Sequence, residues 1–469
     1  MKGHIVYGMM AAAMLAVSVP AYGAQLPAEN GAQTESAAET ETIVETETSA
    51  EKETTVETET SSRTETDEAS GDTAEENKEV RDFVRRLYEL VLGRPAEADG
   101  LDAWTDRLVS GAEQGAKVAQ GFFDSEEFKA RNVSDTEYLQ ILYRTCLNRE
   151  ADDQGLSEWQ AVLDSGLSRL FVFRGFVESD EFTKICQSYG IQRGNAQLTA
   201  PMDQNEDVTK FVARCYRLCL GREADADGLN AWCSQLLSGA NTAKEAAYGF
   251  VFSNEFINSN LSDEDFVKIM YQLFLNRTWD EEGLNEWADV LKEYSRRHVF
   301  NGFADSPEFE QLCQSYGLTA RTAAEKELQG YVNQVLAQVT DDSMTKMEKF
   351  RACYDWVLDN CSYRAVFGDV GEGYTFEQWY AVNMFKEHRG NCYSYASTVY
   401  AFAQALDFTD AVMVKGYFQG VTGRLNNTWS PHAWVEIGGL KYDAQQEDEQ
   451  GWDCFGNPNS PVPYSYTAR

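Results

Sequence analysis

Histidine is scarce in this chain, with four residues in 469 against ten cysteines. His4 lies in the leader segment described below, so any imidazole chemistry draws on a very short list. Cations are scarce as well. Lys and Arg number 40 against 76 Asp and Glu, for a formal net charge of -36. Phosphate contacts need clustered Lys and Arg, so nucleic acid is excluded as a partner. Long apolar runs are missing after residue 23, which leaves no transmembrane segment in the mature chain. Paired Cys-x-x-Cys motifs are also missing, and Cys215, Cys219 and Cys233 cluster without histidine, so a zinc site is not expected.

What is present begins with Lys2, an apolar run from Ile5 to Val19, Pro20, and the small residues Ala21 and Gly23 at signal-peptidase spacing. Segment 1–23 reads as a cleaved secretory signal, which makes the mature protein secreted or envelope-associated. Segment 24–79 is rich in Glu-Thr repeats and holds much of the negative charge. It has too little apolar surface to offset chain entropy, and an extended, self-repelling, disordered tether is expected. Elsewhere, 43% hydrophobic and 12% aromatic composition suffices for real cores. Ten cysteines in an exported chain predict two or three structural disulfides, the remainder being buried thiols.

Tryptophan exposes the organisation. Trp104, Trp159, Trp232 and Trp287 are separated by 55, 73 and 55 residues, a duplicated pair. Around each, the same phrases recur: Tyr88, Tyr143, Tyr216 and Tyr271, then Arg94, Arg149, Arg222 and Arg277, then Gly100, Gly155, Gly228 and Gly283. Every copy ends in Gly-Phe-x-x-Ser-x-Glu-Phe. Apolar residues at helical spacing, such as Phe83, Leu87, Leu90 and Val91, predict three or so short helices per copy. Ser125, Ser179, Ser253 and Ser306 read as helix N-caps. The acidic residue three positions after each arginine (Glu97, Asp152, Asp225, Asp280) reads as a local ion pair plus helix cap. The oxygen-rich run from Glu223 to Gly228 hints at a calcium loop, but the later bidentate carboxylate is not obvious, so no cofactor is expected. The tryptophans read as core rather than as a ligand platform. These phrases resemble a bacterial repeat domain of unknown function, similar to phycobilisome linker repeats, over 80–191 and 207–318. The resemblance implies an all-helical spacer or interaction module, able to contact protein or polymer.

The C-terminal segment, 319–469, changes character. Stretches 323–339 and 343–358 read as amphipathic helices, the second capped by Asp341, Asp342 or Ser343, and 376–388 as a helix stopped by Gly390. Cys392 then opens a helix to about Leu406, and the free N–H groups there would stabilise a thiolate. Strands follow at 411–418, 432–437 and 440–444. The Gly438-Gly439 turn pairs Ile437 with Leu440, which brings His432 and Asp443 to one region of the sheet. A thiol nucleophile needs a base and an orienter, so Cys392, His432 and Asp443 form the candidate catalytic set. His388 reads as a helix C-cap. Oxyanion donors are open among the Cys392 N–H, Asn383 and Asn391.

Gly-Asn-Cys-Tyr-Ser-Tyr-Ala, then His-Ala-Trp-Val-Glu-Ile-Gly-Gly, then Lys-Tyr-Asp resembles the transglutaminase-like superfamily, a branch of the papain-like cysteine hydrolases and transferases. The resemblance assigns Cys392, His432 and Asp443 to the triad. It departs after Asp443, where Ala444-Gln445-Gln446 replaces the family's frequent Pro or Thr-Trp. The expected fold class is α+β overall: an all-helical repeat array followed by a papain/transglutaminase-like α+β domain. The expected function is an exported bacterial cysteine enzyme acting on amide or acyl bonds of peptides or proteins, cell-envelope material among them, through a Cys392 thioester. The alternative is a non-catalytic surface protein that binds through its repeats.

Overall fold

The computed structural model describes residues 77–365, 368–419 and 429–466. The expected leader and nearly all of the expected tether lie outside the described residues, as do residues 420–428. Among the described residues, no helix is long and apolar enough to cross a membrane. The described chain divides into two compact units between Gln204 and Asn205.

Each repeat forms four helices rather than three. In the first copy these are Lys78–Arg86, which runs on through a π turn at Leu87–Leu92, then Ala98–Val109, Gly115–Phe123 and Glu126–Ala130. The additional helix is the Ser-x-Glu-Phe phrase itself. Ser125, Ser179, Ser253 and Ser306 each accept the N–H three residues on, at 3.1 to 3.2 Å, and start a new helix there.

The recurring Tyr, Arg and Gly are one device. A Cβ on Gly100, Gly155, Gly228 or Gly283 would lie 2.1 to 2.6 Å from the phenol oxygen of its Tyr, so glycine is the residue that admits the ring. The arginine lies over that ring, 4.9 to 5.2 Å from its centre. It also reaches across the repeat to the Glu of the terminal phrase: Glu127 at 2.6 Å, Glu181 at 2.8 Å, Glu255 at 3.6 Å and Glu308 at 2.8 Å. The expected pairing three residues away is present for Glu97 and Asp152. Yet the acid's wider role is capping, since Asp152, Asp225 and Asp280 accept the N–H of the Tyr-facing glycine at 2.7 to 2.8 Å.

The second unit joins the latter repeat pair to the C-terminal domain. That domain comprises α1 (Ala323–Val339), α2 (Lys346–Asn360), β1 (Ser362–Tyr363), α3 (Phe376–Glu387), β2 (Arg389–Gly390), α4 (Cys392–Ala405), β3 (Val412–Gln419), β4 (Trp429–Ile437), β5 (Leu440–Tyr442), α5 (Ala444–Gln450) and β6 (Tyr464–Tyr466). The four-stranded sheet has the order β5-β4-β3-β6, antiparallel throughout, with α4 packed on it. Ile437 pairs with Leu440 as the turn requires. Boundaries differ from expectation: β4 starts at Trp429 rather than 432, and β5 ends at Tyr442 rather than 444. Helix α2 is capped by Thr345, not by residues 341 to 343, because Thr345 and Glu348 form a reciprocal capping box. Strands β1, β2 and β6 and helix α5 were not anticipated.

Polar contacts seat this domain on the repeats, Arg321 and Lys326 on Glu310 among them. Lys244, 1% exposed in its side chain, lies 2.8 Å from Asp305 and 3.4 Å from Glu325 of α1. At the far end, Asp407 accepts both the Ser295 N–H and hydroxyl, at 2.7 and 2.6 Å. The first pair uses the same grip: Asp203 accepts the N–H and hydroxyl of Ser168, at 3.1 and 2.6 Å. In the second pair the C-terminal domain has taken over the part of that linker aspartate.

No disulfide forms. None of the ten cysteines is disulfide-bonded and nine are buried, so the expected two or three bridges are corrected to core thiols. They pack as small hydrophobes. Burial pushes thiols such as Cys146, Cys215 and Cys353 up to about 12, which makes them inert. Thiol titration should therefore count one fast group in the native reduced protein and ten after denaturation. Asp407→Ala leaves two part-buried donors unpaired and should lower the stability of the second unit by about 1–3 kcal/mol in denaturant unfolding. Asp407→Asn, which keeps one acceptor oxygen, should cost less.

Candidate active site

Cys392 is the first residue of α4, and the N-cap Asn391 turns its amide oxygen onto the Ser394 N–H at 3.1 Å. The remaining first-turn N–H groups give this position the positive end of the helix dipole. Cys392 is partly exposed, unlike every other cysteine.

His432 stands on the inward face of β4 with 1% of its surface exposed. Its cross-strand neighbour on β3 is Gly416. A Cβ there would lie 2.5 Å from the Trp434 ring and 2.6 Å from the Ser465 carbonyl, so glycine lets both close in beside the histidine. Phe418 packs on the imidazole with ring centres 4.9 Å apart, and Trp434 stacks on it at 6.2 Å. Nε2 lies 2.7 Å from Asp443 Oδ2. The Cys392 sulfur also bears on the imidazole, and with Nε2 on Asp443 the nitrogen left to face it is Nδ1.

Burial alone would pull the imidazole pKa down. The Asp443 charge, the hydrogen bond to it and the Cys392 sulfur outweigh that effect and raise the pKa to about 10. His432 therefore keeps its proton at neutral pH.

Asp443 is fully used. Oδ1 accepts the Gln446 N–H at 3.2 Å as the N-cap of α5, and Oδ2 accepts from His432 and from the Tyr464 hydroxyl at 3.0 Å. The departure from the family pattern thus has a local meaning: Ala444-Gln445-Gln446 is the first turn of a helix that Asp443 caps. Burial, then the Asp443 charge, push the Tyr464 phenol pKa up, so it stays a donor. Sequence reasoning missed Tyr464. Its only local signal is the alternation of Tyr464-Ser465-Tyr466, which names no partner strand.

The guessed oxyanion amides have other duties. Asn383 donates to the Trp379 carbonyl at 2.8 Å, and Asn391 is the cap described above. His388 is the left-handed C-cap of α3, φ 51°, with Nδ1 3.1 Å from the Asn360 carbonyl, away from the thiol as expected. Tyr363 and Tyr393 lie beside the sulfur, and burial followed by its charge raises the pKa of both phenols. Phe376 and Tyr380 pack on Tyr393 at 5.3 and 5.6 Å, so the mouth is aromatic. Among the described residues, no group of three or more His, Cys, Asp or Glu could hold a metal ion.

This order of thiol, imidazole and carboxylate on helix, strand and strand end coincides with a family match over 333–452, described as Transglutaminase-like superfamily. Residues 64–132, 129–186, 194–260 and 251–313 each match the domain of unknown function DUF4214, together more than half of the chain. The chain belongs to the DUF4214 family and ends in a transglutaminase-like domain. No curated protein matches it. A solved structure titled "Putative Cysteine Protease from Cytophaga hutchinsonii" is similar at 17% identity, over 32% of this chain and 54% of that one, with a TM-score of 0.18. The chain spans about half of that protein, and a likeness at this score carries no argument. The transglutaminase-like domain thus places the chain, in general terms, among papain-like cysteine enzymes.

Two outcomes follow for the transglutaminase-like domain. Alkylation of Cys392 by iodoacetamide at pH 7 should slow at least about tenfold in His432→Ala, read as the second-order rate constant on native reduced protein. Tyr464→Phe removes one donor from a buried carboxylate. It should cost about 1.5–3 kcal/mol in unfolding experiments and slow alkylation at pH 7; unchanged values in both would sink the assignment.

Proposed function

We propose that the protein is an exported cysteine enzyme that cleaves or transfers acyl groups of peptides or proteins at Cys392. The observation that carries this reading is the buried His432–Asp443 hydrogen bond, 2.7 Å long, turned toward a partly exposed cysteine at a helix N-terminus. The thiolate attacks the carbonyl carbon of an amide and a C–S bond forms. His432 gives its proton to the departing nitrogen as the C–N bond breaks, which leaves a thioester and a neutral imidazole. Water or an incoming amine then attacks the thioester, His432 takes its proton, and the C–S bond breaks. The Cys392 N–H at the start of α4 is the donor placed to receive the oxyanion.

The aromatic mouth formed by Tyr363, Phe376, Tyr380 and Tyr393 favours an extended peptide over a small polar substrate. Segment 24–79 serves as a spacer and the repeats as a targeting module at the cell envelope. Asp443 orients His432, a role supported by the three hydrogen bonds that hold its carboxylate.

The test is acylation by an activated ester of a peptide, followed by intact-mass measurement. The wild type should gain one acyl group, released by water or by an added amine, and whichever accelerates release identifies hydrolysis or transfer. Cys392→Ala should gain none. Asp443→Asn should acylate more slowly by up to about ten-thousandfold, the scale seen when a triad loses its carboxylate. Acylation of Cys392→Ala at the wild-type rate would refute the proposal.

A further inference from the structure

The four repeats are internal controls for one another, and the first departs from the rest at its tryptophan. In copies two and four the edge of the indole meets the glycine of the Gly-Phe phrase. A Cβ on Gly175 would meet Trp159 at 2.3 Å, and one on Gly302 would meet Trp287 at 2.4 Å. In copies two, three and four the indole is tilted 32 to 39° to the following Phe, with ring centres 5.0 to 5.3 Å apart. In copy one Trp104 stands edge-on to Phe122, at 6.0 Å and 60°, with the Arg107 guanidinium over its ring at 5.1 Å. A Cβ on Gly121 would meet nothing within 4 Å, and this glycine is exposed. The floor is otherwise the same in all four, with Tyr on Phe at 4.8 to 4.9 Å.

The space from which Trp104 is withdrawn is a cleft of about 470 Å³, lined among others by Tyr88, Trp104, Gly121, Phe122 and Ser125. Its volume falls in the range of ligand sites. At the positions eight and four residues before the glycine, copies two and four have Leu167 and Phe171, and Tyr294 and His298, copy three has Asn241 and Glu245, and copy one has Glu113 and Lys117, an ion pair at 3.3 Å.

We infer that the first repeat is a receptor for an aromatic side chain, indole or phenol, displayed by another polypeptide, which occupies the slot that the repeat's own tryptophan fills in copies two and four. The rim favours such a ring over a sugar. A polyhydroxylated ring needs unengaged polar partners, whereas Arg94 is paired with Glu97 and Glu127, and Glu113 with Lys117. The aromatic floor and Trp104 wall instead offer edge and face contacts to a planar ring.

The test is titration of the full chain with N-acetyl-tryptophanamide and, separately, with a chitin oligosaccharide, by calorimetry and ligand-observed NMR. Indole binding is expected in the wild type. It should weaken at least tenfold in Gly121→Phe, which fills the slot, and persist in Gly175→Ala as long as the melting temperature shows that variant folded. Gly121→Ala, whose Cβ meets open space, is a second probe and should weaken binding while the fold is kept. Unchanged affinity in both Gly121 variants, no indole binding at millimolar concentration, or oligosaccharide binding in place of indole would each overturn the inference.

Discussion

A buried carboxylate tolerates no idle oxygen, and Asp443 is the point on which the C-terminal domain turns. Taking a charge out of water costs several kcal/mol unless hydrogen bonds replace the lost hydration. Three donors do so here, and each comes from a different element: His432 from β4, the Gln446 N–H from α5 and the Tyr464 hydroxyl from β6. Satisfying one side chain therefore fixes the end of β5, the start of α5 and the seating of β6 against β3. The catalytic order of the site and the fold of its sheet are two readings of the same constraint.

The imidazole then inherits its state from that carboxylate. Burial would make His432 neutral, and the Asp443 charge reverses the outcome. The imidazole and carboxylate thus stand paired behind a thiol that opens a helix. The nine remaining cysteines are insulated by burial. Reactivity is thus confined to one thiol by packing as much as by chemistry.

The repeats show how one capping device can be reused between domains. Ser168 is held by Asp203 of the linker that follows the first pair, and Ser295 by Asp407 of the C-terminal domain. With the Lys244 ion pairs to Asp305 and Glu325, this makes the second repeat pair part of the enzyme unit rather than a detachable spacer. The division of the chain falls between the two pairs, after Gln204.

The sequence by itself determined what depends on near neighbours. Helix starts at serines, the glycine turn that sets Ile437 against Leu440, the cap at His388 and the fourfold repeat all follow from local hydrogen bonding and spacing, and all were legible. Cys392, His432 and Asp443 were legible too, because their order and flanking phrases survive in one dimension. Tertiary structure alone decided which distant groups meet: Tyr464 on Asp443, Asp407 on Ser295, and each repeat arginine on a glutamate some 31 to 33 residues away. It also decided that cysteines expected to pair stay apart, and that Trp104, identical in type to its three counterparts, leaves its slot open. Those outcomes rest on burial and on competition among partners in three dimensions, quantities that no spacing along the chain encodes.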